Sequence, residues 1–322
     1  MNLNTLAQLI YEEIIQSRIN PGITDPNYFA IVLELRNKLI PHGDPLICMN
    51  IGNTGLLMNL SHQLPLLRLH PLYDTALPRI AEIICAEEQY LKVIDIGANI
   101  GDTVATISEK VCGSFLCVEG DPHYFFLLQE NLRKIHASVV CVNAVCGACD
   151  EEVQGYFMTE HGTGHFVAGA DRGALRLKSV TSILEDHASF KDANLFKVDT
   201  DGFDTCVLRG AQTYLAATGP TVFFEYVPAL LNVHEEHPLA IFSYLVDLGY
   251  RSALFYTNLG LPLEMVDLCD QENLAELVRR IDTVNIGYYD VLLPGRSLPA
   301  DLFADFCKQE IATAQRILDK AK

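Results

Sequence analysis

From residue 91 onward, short apolar runs alternate with stretches whose apolar residues recur every three or four positions. The short runs predict strands at 92–96, 115–119, 139–143, 195–199, 221–226, 251–256 and 285–290. The other stretches predict helices at 103–111, 124–135, 204–216 and 238–248. Strand–helix alternation is typical of an α/β fold in which helices cover both faces of a parallel sheet. The pattern therefore predicts a doubly wound, mostly parallel, seven-stranded sheet.

Segments outside this alternation predict the domain organisation. Residues 1–88 carry apolar residues at helical spacing and predict an N-terminal helical extension, which would serve as a lid, an oligomer contact or part of a substrate site. The sheet domain is expected over 89–296, with glycine-rich hairpin material inserted at 151–180 and a second insertion at 257–282. Residues 297–322 predict a C-terminal helix.

Composition and charge restrict the partners of the chain. With 322 residues and 49% hydrophobic content, it can bury a large core. A formal net charge of −18 repels phosphate backbones and anionic lipid surfaces, so we expect neither nucleic acid nor a membrane as partner. No run approaches the roughly 20 apolar residues of a membrane-spanning helix. The N-terminus lacks a basic leader, and we expect a soluble, cytoplasmic protein.

Ten cysteines are best explained as free thiols in a reducing compartment. One alternative is an iron–sulfur site, because Cys141, Cys146 and Cys149 follow the spacing of plant-type ferredoxins. A redox pair at Cys146 and Cys149 is another. The iron–sulfur alternative is disfavoured, because no fourth ligand is evident and 139–142 has the pattern of a buried strand.

The strongest chemical signal is Val93-Ile-Asp-Ile-Gly-Ala-Asn-Ile-Gly-Asp-Thr103, a buried strand followed by a glycine turn and a helix start. Gly97 allows a tight turn with close backbone approach to a ligand, and Gly101 lets the helix pack closely. A second strand ends 18 residues after Gly101 at Glu119, where a carboxylate can accept both hydroxyls of an adenosine ribose. The predicted adenosine-site residues are Asp95, Gly97, Ala98, Asn99, Gly101, Thr103, Glu119, Gly120, Asn143, Ala144 and Asp199.

The turn favours S-adenosylmethionine (SAM) over a dinucleotide. A dinucleotide places its pyrophosphate on the helix N-terminus, where this chain has Asp102 and lacks the middle glycine of the dinucleotide motif. SAM carries no phosphate, and its cationic amino and sulfonium groups suit the nearby Asp95. We therefore predict SAM as the cofactor.

The same stretch resembles the first motif of the FkbM family of SAM-dependent methyltransferases. Val118-Glu-Gly-Asp-Pro122 is similar to the family's second motif. Phe196-Lys-Val-Asp-Thr-Asp-Gly-Phe-Asp204 and Phe223-Phe-Glu225 resemble its signatures at the fourth and fifth strands. The resemblance covers about 91–228. It implies a class I, Rossmann-like methyltransferase fold and O-methylation of hydroxyls on natural products or sugars. The family has glutamates where this chain has Asp201 and Asp204.

Acidic residues at the ends of the fourth and fifth strands are the candidate catalytic groups. Methyl transfer requires alignment of the nucleophile with the C–S bond, and a hydroxyl nucleophile must also lose a proton. Asp199 is expected to touch SAM or substrate, while Asp201 and Glu225 act as base or orient the hydroxyl. His165, in the glycine-rich insertion, is expected to reach over the site. The predicted acceptor is a small molecule or carbohydrate.

Three alternatives remain at this point. Asp199, Asp201, Asp204 and Glu225 supply enough oxygens for Mg²⁺, although such acids are common in metal-free sites, so no metal is predicted. A nicotinamide-dependent oxidoreductase would use Glu119 equally well. A catalytically silent SAM-binding partner subunit is the third, with residues 1–88 as its contact surface or as the contact of a homo-oligomer.

Overall fold

A computed structural model describes residues 2–19, 26–160, 163–168, 173–233, 237–283 and 287–321. The helices are α1 Leu3–Ile19, α2 Pro26–Leu39, α3 Leu64–Leu67, α4 Ala76–Glu88, α5 Asp102–Ser108, α6 Pro122–Leu132, α7 Val180–Asp186, α8 Asp204–Gly210, α9 Gln212–Thr218, α10 Pro228–Val233, α11 Ala240–Asp247, α12 Gln271–Thr283 and α13 Ala300–Ala321. The strands are β1 Leu46–Ile51, β2 Thr54–Asn59, β3 Lys92–Ile96, β4 Ser114–Glu119, β5 Ser138–Asn143, β6 Val145–Cys146, β7 Glu151–Glu160, β8 Thr163–Ala168, β9 Ala174–Lys178, β10 Leu195–Val198, β11 Thr221–Tyr226, β12 Ser252–Thr257, β13 Pro262–Asp267 and β14 Tyr289–Leu293.

A central sheet dominates the described part of the chain, in the order β13-β12-β14-β11-β10-β3-β4-β5. Five neighbouring strands of this sheet, β5, β4, β3, β10 and β11, are mutually parallel. Strand β14 is antiparallel to both of its neighbours, β11 and β12. The predicted α/β fold with a mostly parallel sheet is confirmed. The sheet has eight strands rather than seven, because β13, from the predicted insertion, pairs with β12 at the edge. The last predicted strand, 285–290, is found further along the chain at β14.

Two apolar layers bury the sheet on both faces. Successive residues of a strand point to opposite faces, so Ile94 belongs to the core on one side and Val93 to the core on the other. All six residues of β11 are buried, as a central parallel strand requires. The predicted helix at 204–216 is divided at Ala211 into α8 and α9.

The N-terminal segment is not wholly helical, which corrects the prediction for residues 1–88. The hairpin of β1 and β2 lies in its middle, paired antiparallel from Leu46 opposite Asn59 to Ile51 opposite Thr54. Its alternating buried residues have the period of a strand, and a Gly-Asn turn joins the two strands. The hairpin, α1 and α2 share one apolar core with residues of α5 and α6, so this segment packs onto the sheet domain.

Asn131 joins the hairpin to the glycine turn. Its side chain is fully buried in α6. Its amide oxygen accepts a hydrogen bond from the Leu57 N–H at 2.7 Å, and its amide nitrogen donates to the Leu57 and Ile100 carbonyls at 2.9 Å each. The Asn131 side chain thereby provides hydrogen-bond partners for the backbone groups of Leu57 on the outer edge of β2. It also fixes the turn before α5 through Ile100.

The C-terminal helix packs with α4 on one face of the sheet, where both helices contribute to the same core. Arg79 donates from Nη2 to Glu310 Oε2 at 2.8 Å and also from Nε to Oε1, and the Tyr256 hydroxyl lies 3.3 Å from Oε2. Glu310 is 2% exposed, so this bidentate pair anchors α13 inside the fold. Among the described helices, none combines the length and apolar character needed to cross a bilayer.

Replacing Asn131 with alanine is expected to lower the free energy of unfolding by about 2–4 kcal/mol, because buried backbone groups lose their partners. Urea unfolding measures the change. Gln129→Ala, on an exposed position of the same helix, should change stability by no more than about 0.5 kcal/mol. Equal stability of the two variants would contradict the proposed link between hairpin and turn.

Candidate functional site

The carboxyl ends of five parallel strands meet at one edge of the sheet. The register pairs Ile96 of β3 with Val118 of β4 and Val198 of β10, so the following loops start at one level. A cavity of about 470 Å³ opens there, within the roughly 300–1,000 Å³ range of small-molecule sites. Its lining combines these loops with residues from the N-terminal segment and from 258–290.

The glycine turn between β3 and α5 crosses closely over the neighbouring strands. The amides of Gly97 and Ala98 both donate to the Val118 carbonyl at 3.0 Å. Gly97 has φ +75°, and a Cβ there would lie 1.7 Å from the Asp199 carbonyl oxygen, so no other residue fits. Gly101, at φ +88°, brings α5 against leucines of α6. The close approach at Gly97 is therefore to the β10 backbone, and the turn also lines the cavity.

Glu119 fixes the turn from the end of β4. Its two carboxylate oxygens accept hydrogen bonds from the Asn99 and Asp121 amides, each at 2.8 Å. The residue is 9% exposed, and burial raises the pKa of its carboxyl to about 7 despite these hydrogen bonds. Asn143, at the end of β5, donates to the Glu119 carbonyl at 2.8 Å and holds the adjacent strand end in place. A buried carboxylate is thus presented to the cavity on a rigid frame.

Lys197 is a buried cation at the centre of the edge. Its ammonium lies 3.1 Å from Asp95 Oδ1 and 3.4 Å from Asp199 Oδ2, and it donates to the Gly97 carbonyl at 2.9 Å. Burial alone would lower the pKa of Lys197, but the neighbouring carboxylates raise it well above its usual range. Asp95 is fully buried behind this ammonium and outside the cavity lining, so it acts on the cavity through Lys197 rather than by direct contact. Asp199 is half-exposed and faces the cavity.

The loop after β10 presents a second acid, Asp201, to the cavity. Asp204 accepts from the Thr200 and Gly202 amides at 3.1 Å each, so it holds the loop rather than taking part in chemistry. Asp201 has φ +52°. Burial and then the adjacent carboxylates of Asp199 and Asp204 raise the pKa of Asp201 to about 8. This loop explains why acidic residues cluster here: one orders the backbone and the other lines the cavity.

The N-terminal segment contributes a wall of the cavity, through residues that the sequence analysis did not name. The His62 Nδ1 accepts from the Leu64 N–H at 3.1 Å, so the ring proton lies on Nε2, which donates to Asn99 Oδ1 at 3.2 Å. Burial lowers the pKa of His62 and favours this neutral form. Asp74 lines the cavity and pairs with Arg68 at 3.1 Å. No motif marks these residues, because their role depends on how the segment folds back.

The structure brings most predicted residues together. From the predicted cofactor set the cavity is lined by Gly97, Asn99, Thr103, Glu119, Gly120, Ala144 and Asp199, and from the catalytic set by Asp199, Asp201 and Glu225. Ala98, Gly101 and Asn143 shape the surrounding backbone. The side chain of His165, a residue of β8, lies outside the described residues.

Two further lining residues, Tyr288 and Asp290, come from the last part of the sheet. Asp290 lies opposite Glu225 in the β11–β14 pair. Asp290 is the last residue of the predicted strand at 285–290, but its place in the cavity follows only once β14 is known to pair with β11.

The cysteines at 141, 146 and 149 form no metal-binding group in the described part of the chain.

A family model for the methyltransferase FkbM domain matches residues 95–252. No curated protein matches the chain. Among solved structures, methyltransferase FkbM from Methylobacillus flagellatus KT is similar to this chain, with 16% sequence identity and a TM-score of 0.38. The alignment covers 51% of this chain but only 40% of that protein. A precorrin-6y C5,15-methyltransferase from Geobacter metallireducens GS-15 is 14% identical, over 67% of this chain and 88% of its own, with a TM-score of 0.34.

The plantazolicin methyltransferase BpumL, solved in complex with S-adenosylhomocysteine (SAH), is 11% identical and has a TM-score of 0.39. The alignment covers 89% of this chain and all of BpumL (100%). The similarity to a methyltransferase domain rests on the family match, because the solved structures are too distant to support it. The matched range contains the glycine turn, Glu119, Asp201 and Glu225. The match does not favour the nicotinamide-dependent oxidoreductase alternative. Residues 95–252 of the chain therefore match the methyltransferase FkbM domain.

Proposed function

We propose that the protein transfers the methyl group of SAM to a hydroxyl of a small molecule or carbohydrate bound in the cavity. The observation that carries the proposal is the buried Glu119 carboxylate at the end of β4, facing a cavity beside the glycine turn. A carboxylate in this position of a doubly wound sheet is suited to accept the two ribose hydroxyls of an adenosine.

The charges around the turn suit SAM. Asp102 lines the cavity at the start of α5, where the phosphates of a dinucleotide would be repelled. Asp199 faces the same space and is suited to receive the cationic amino group of the methionine portion. With the ribose on Glu119, the adenine would lie towards Ala144 and Val145, at the end of the third parallel strand. The sulfonium then points towards the loops after β10 and β11.

The acidic residues of those loops would handle the acceptor. Direct displacement at carbon needs the hydroxyl oxygen in line with the C–S bond, and proximity supplies much of the acceleration. We assign removal of the hydroxyl proton, or orientation of the hydroxyl, to Asp201 and Glu225. His165 stays a prediction.

A cytoplasmic location is part of this proposal. Cys117, Cys146 and Cys307 are buried as thiols outside any disulfide, and such thiols are typical of a reducing compartment. Self-association through the N-terminal segment also remains a prediction.

Glu119→Ala is expected to weaken SAH binding at least about tenfold, because hydrogen bonds to a charged group contribute roughly 1.5–3 kcal/mol each. Isothermal titration at pH 8 measures the affinity. Glu185→Ala removes an exposed carboxylate of α7, remote from the cavity lining, and should bind SAH like the wild type. Wild-type affinity in Glu119→Ala would overturn the ribose contact, and absence of SAH binding by the wild type would overturn the proposed cofactor.

The affinity for SAH is expected to depend on pH through Glu119. The ionised carboxylate accepts the ribose hydroxyls, and its pKa of about 7 means that affinity is full above this pH and is lost as the pH falls through it. Between pH 8 and pH 6 the dissociation constant should rise about tenfold, following the ionised fraction. Titrations across this range measure the profile, and Glu119→Gln should flatten it. A flat wild-type profile, or tighter binding at pH 6, would contradict the assignment.

A further inference from the structure

Three carboxylates in the cavity converge on one small volume. Asp199 and Asp201, from the loop after β10, and Glu225, near the end of β11, each place one carboxylate oxygen within 4.8 Å of the other two. Oxygens that surround one Mg²⁺ at about 2.0–2.1 Å, or one Ca²⁺ at about 2.3–2.6 Å, are separated by no more than about twice those distances. A separation of up to 4.8 Å lies inside the Ca²⁺ limit of about 5.2 Å and slightly outside the Mg²⁺ limit of about 4.2 Å, so the three side chains would have to close in slightly around the smaller ion.

Glu225 supplies an independent indication of a ligand. Its side chain is 8% exposed, and it accepts no hydrogen bond and forms no ion pair within the described part of the chain, yet it lines the cavity. Buried carboxylates are normally hydrogen-bonded, ion-paired or bound to a metal. Asp204 meets this requirement through two backbone amides, and Glu119 does so as well. Glu225 is oriented to a partner that enters the cavity.

The protein's own cations do not fill this role. Lys197 is 3.4 Å from Asp199 but is shared with Asp95 and the Gly97 carbonyl, and Arg68 is paired with Asp74. Asp290, another acid, lies opposite Glu225 and offers it no positive charge. The carboxylates of Asp201 and Glu225 therefore have no cationic partner among the described residues of the protein.

We propose that Asp199, Asp201 and Glu225 bind one divalent metal ion, of the hard, oxygen-preferring class that includes Mg²⁺ and Mn²⁺. This inference rests on the proposed function, because the ion would lie where the acceptor hydroxyl meets the methyl group. Three carboxylates leave coordination positions for water and for that hydroxyl. A bound divalent cation would lower the pKa of the hydroxyl and orient its oxygen towards the sulfonium carbon.

Mn²⁺ binding to the chelator-treated full chain tests the site, using the electron paramagnetic resonance signal of free Mn²⁺. We expect one Mn²⁺ per chain, displaced by Mg²⁺. Glu225→Gln should weaken binding at least tenfold, because it keeps the shape of the side chain and removes its charge, and Asp201→Asn should do the same. Glu119→Gln is the matched control: it removes another buried carboxylate of the same cavity and should change the affinity for Mn²⁺ less than twofold.

No saturable Mn²⁺ site in the wild type would overturn the proposal, as would equal binding by Glu225→Gln and the wild type. Equal losses in Glu119→Gln and Glu225→Gln would also overturn it, because they would show that overall negative charge holds the ion. Circular dichroism confirms that each variant is folded. Titration of metal-free wild type with SAH separates the two proposals, because SAH affinity tests the cofactor site whether or not Mn²⁺ binds.

Discussion

The ammonium group of Lys197 is the interaction on which the carboxyl edge of the sheet depends. It is buried between Asp95 and Asp199 and donates to the Gly97 carbonyl, so one cation joins β3, β10 and the glycine turn. Without it, Asp95 would be a buried charge with no counter-ion, a loss that typically costs about 3–5 kcal/mol. The turn held by Lys197 also carries the Asn99 amide that Glu119 binds. The contacts of Lys197 therefore hold the glycine turn that lines the cavity and also stabilise the buried centre of the sheet.

A second constraint comes from outside the matched domain. The N-terminal segment closes the cavity through His62 and Asp74, and Asn131 and His62 connect it to the turn at Ile100 and Asn99. These contacts mean that the N-terminal wall of the cavity and the glycine turn are built on one another. The family match at 95–252 does not include this wall.

Sequence predicted the parts whose chemistry is local. The alternating runs located β3 and β11 to the residue, and the Gly97 turn with Glu119 identified the edge of the sheet where the cavity opens. The β1–β2 hairpin was missed because its six-residue strands lie among helical patterns. The sequence predicts that Asp95 meets a cationic ligand. In the structure Asp95 is buried and pairs with Lys197 instead. Such roles depend on long-range packing, which residue spacing alone does not encode.

The most direct test of the account is a crystal structure of the protein with SAH. The account predicts both ribose hydroxyl oxygens within about 3.2 Å of the Glu119 carboxylate, with the methionine amino group at Asp199 and the sulfur facing Asp201 and Glu225. A nucleoside bound away from the end of β4, with Glu119 contacting only the Asn99 and Asp121 amides, would contradict it.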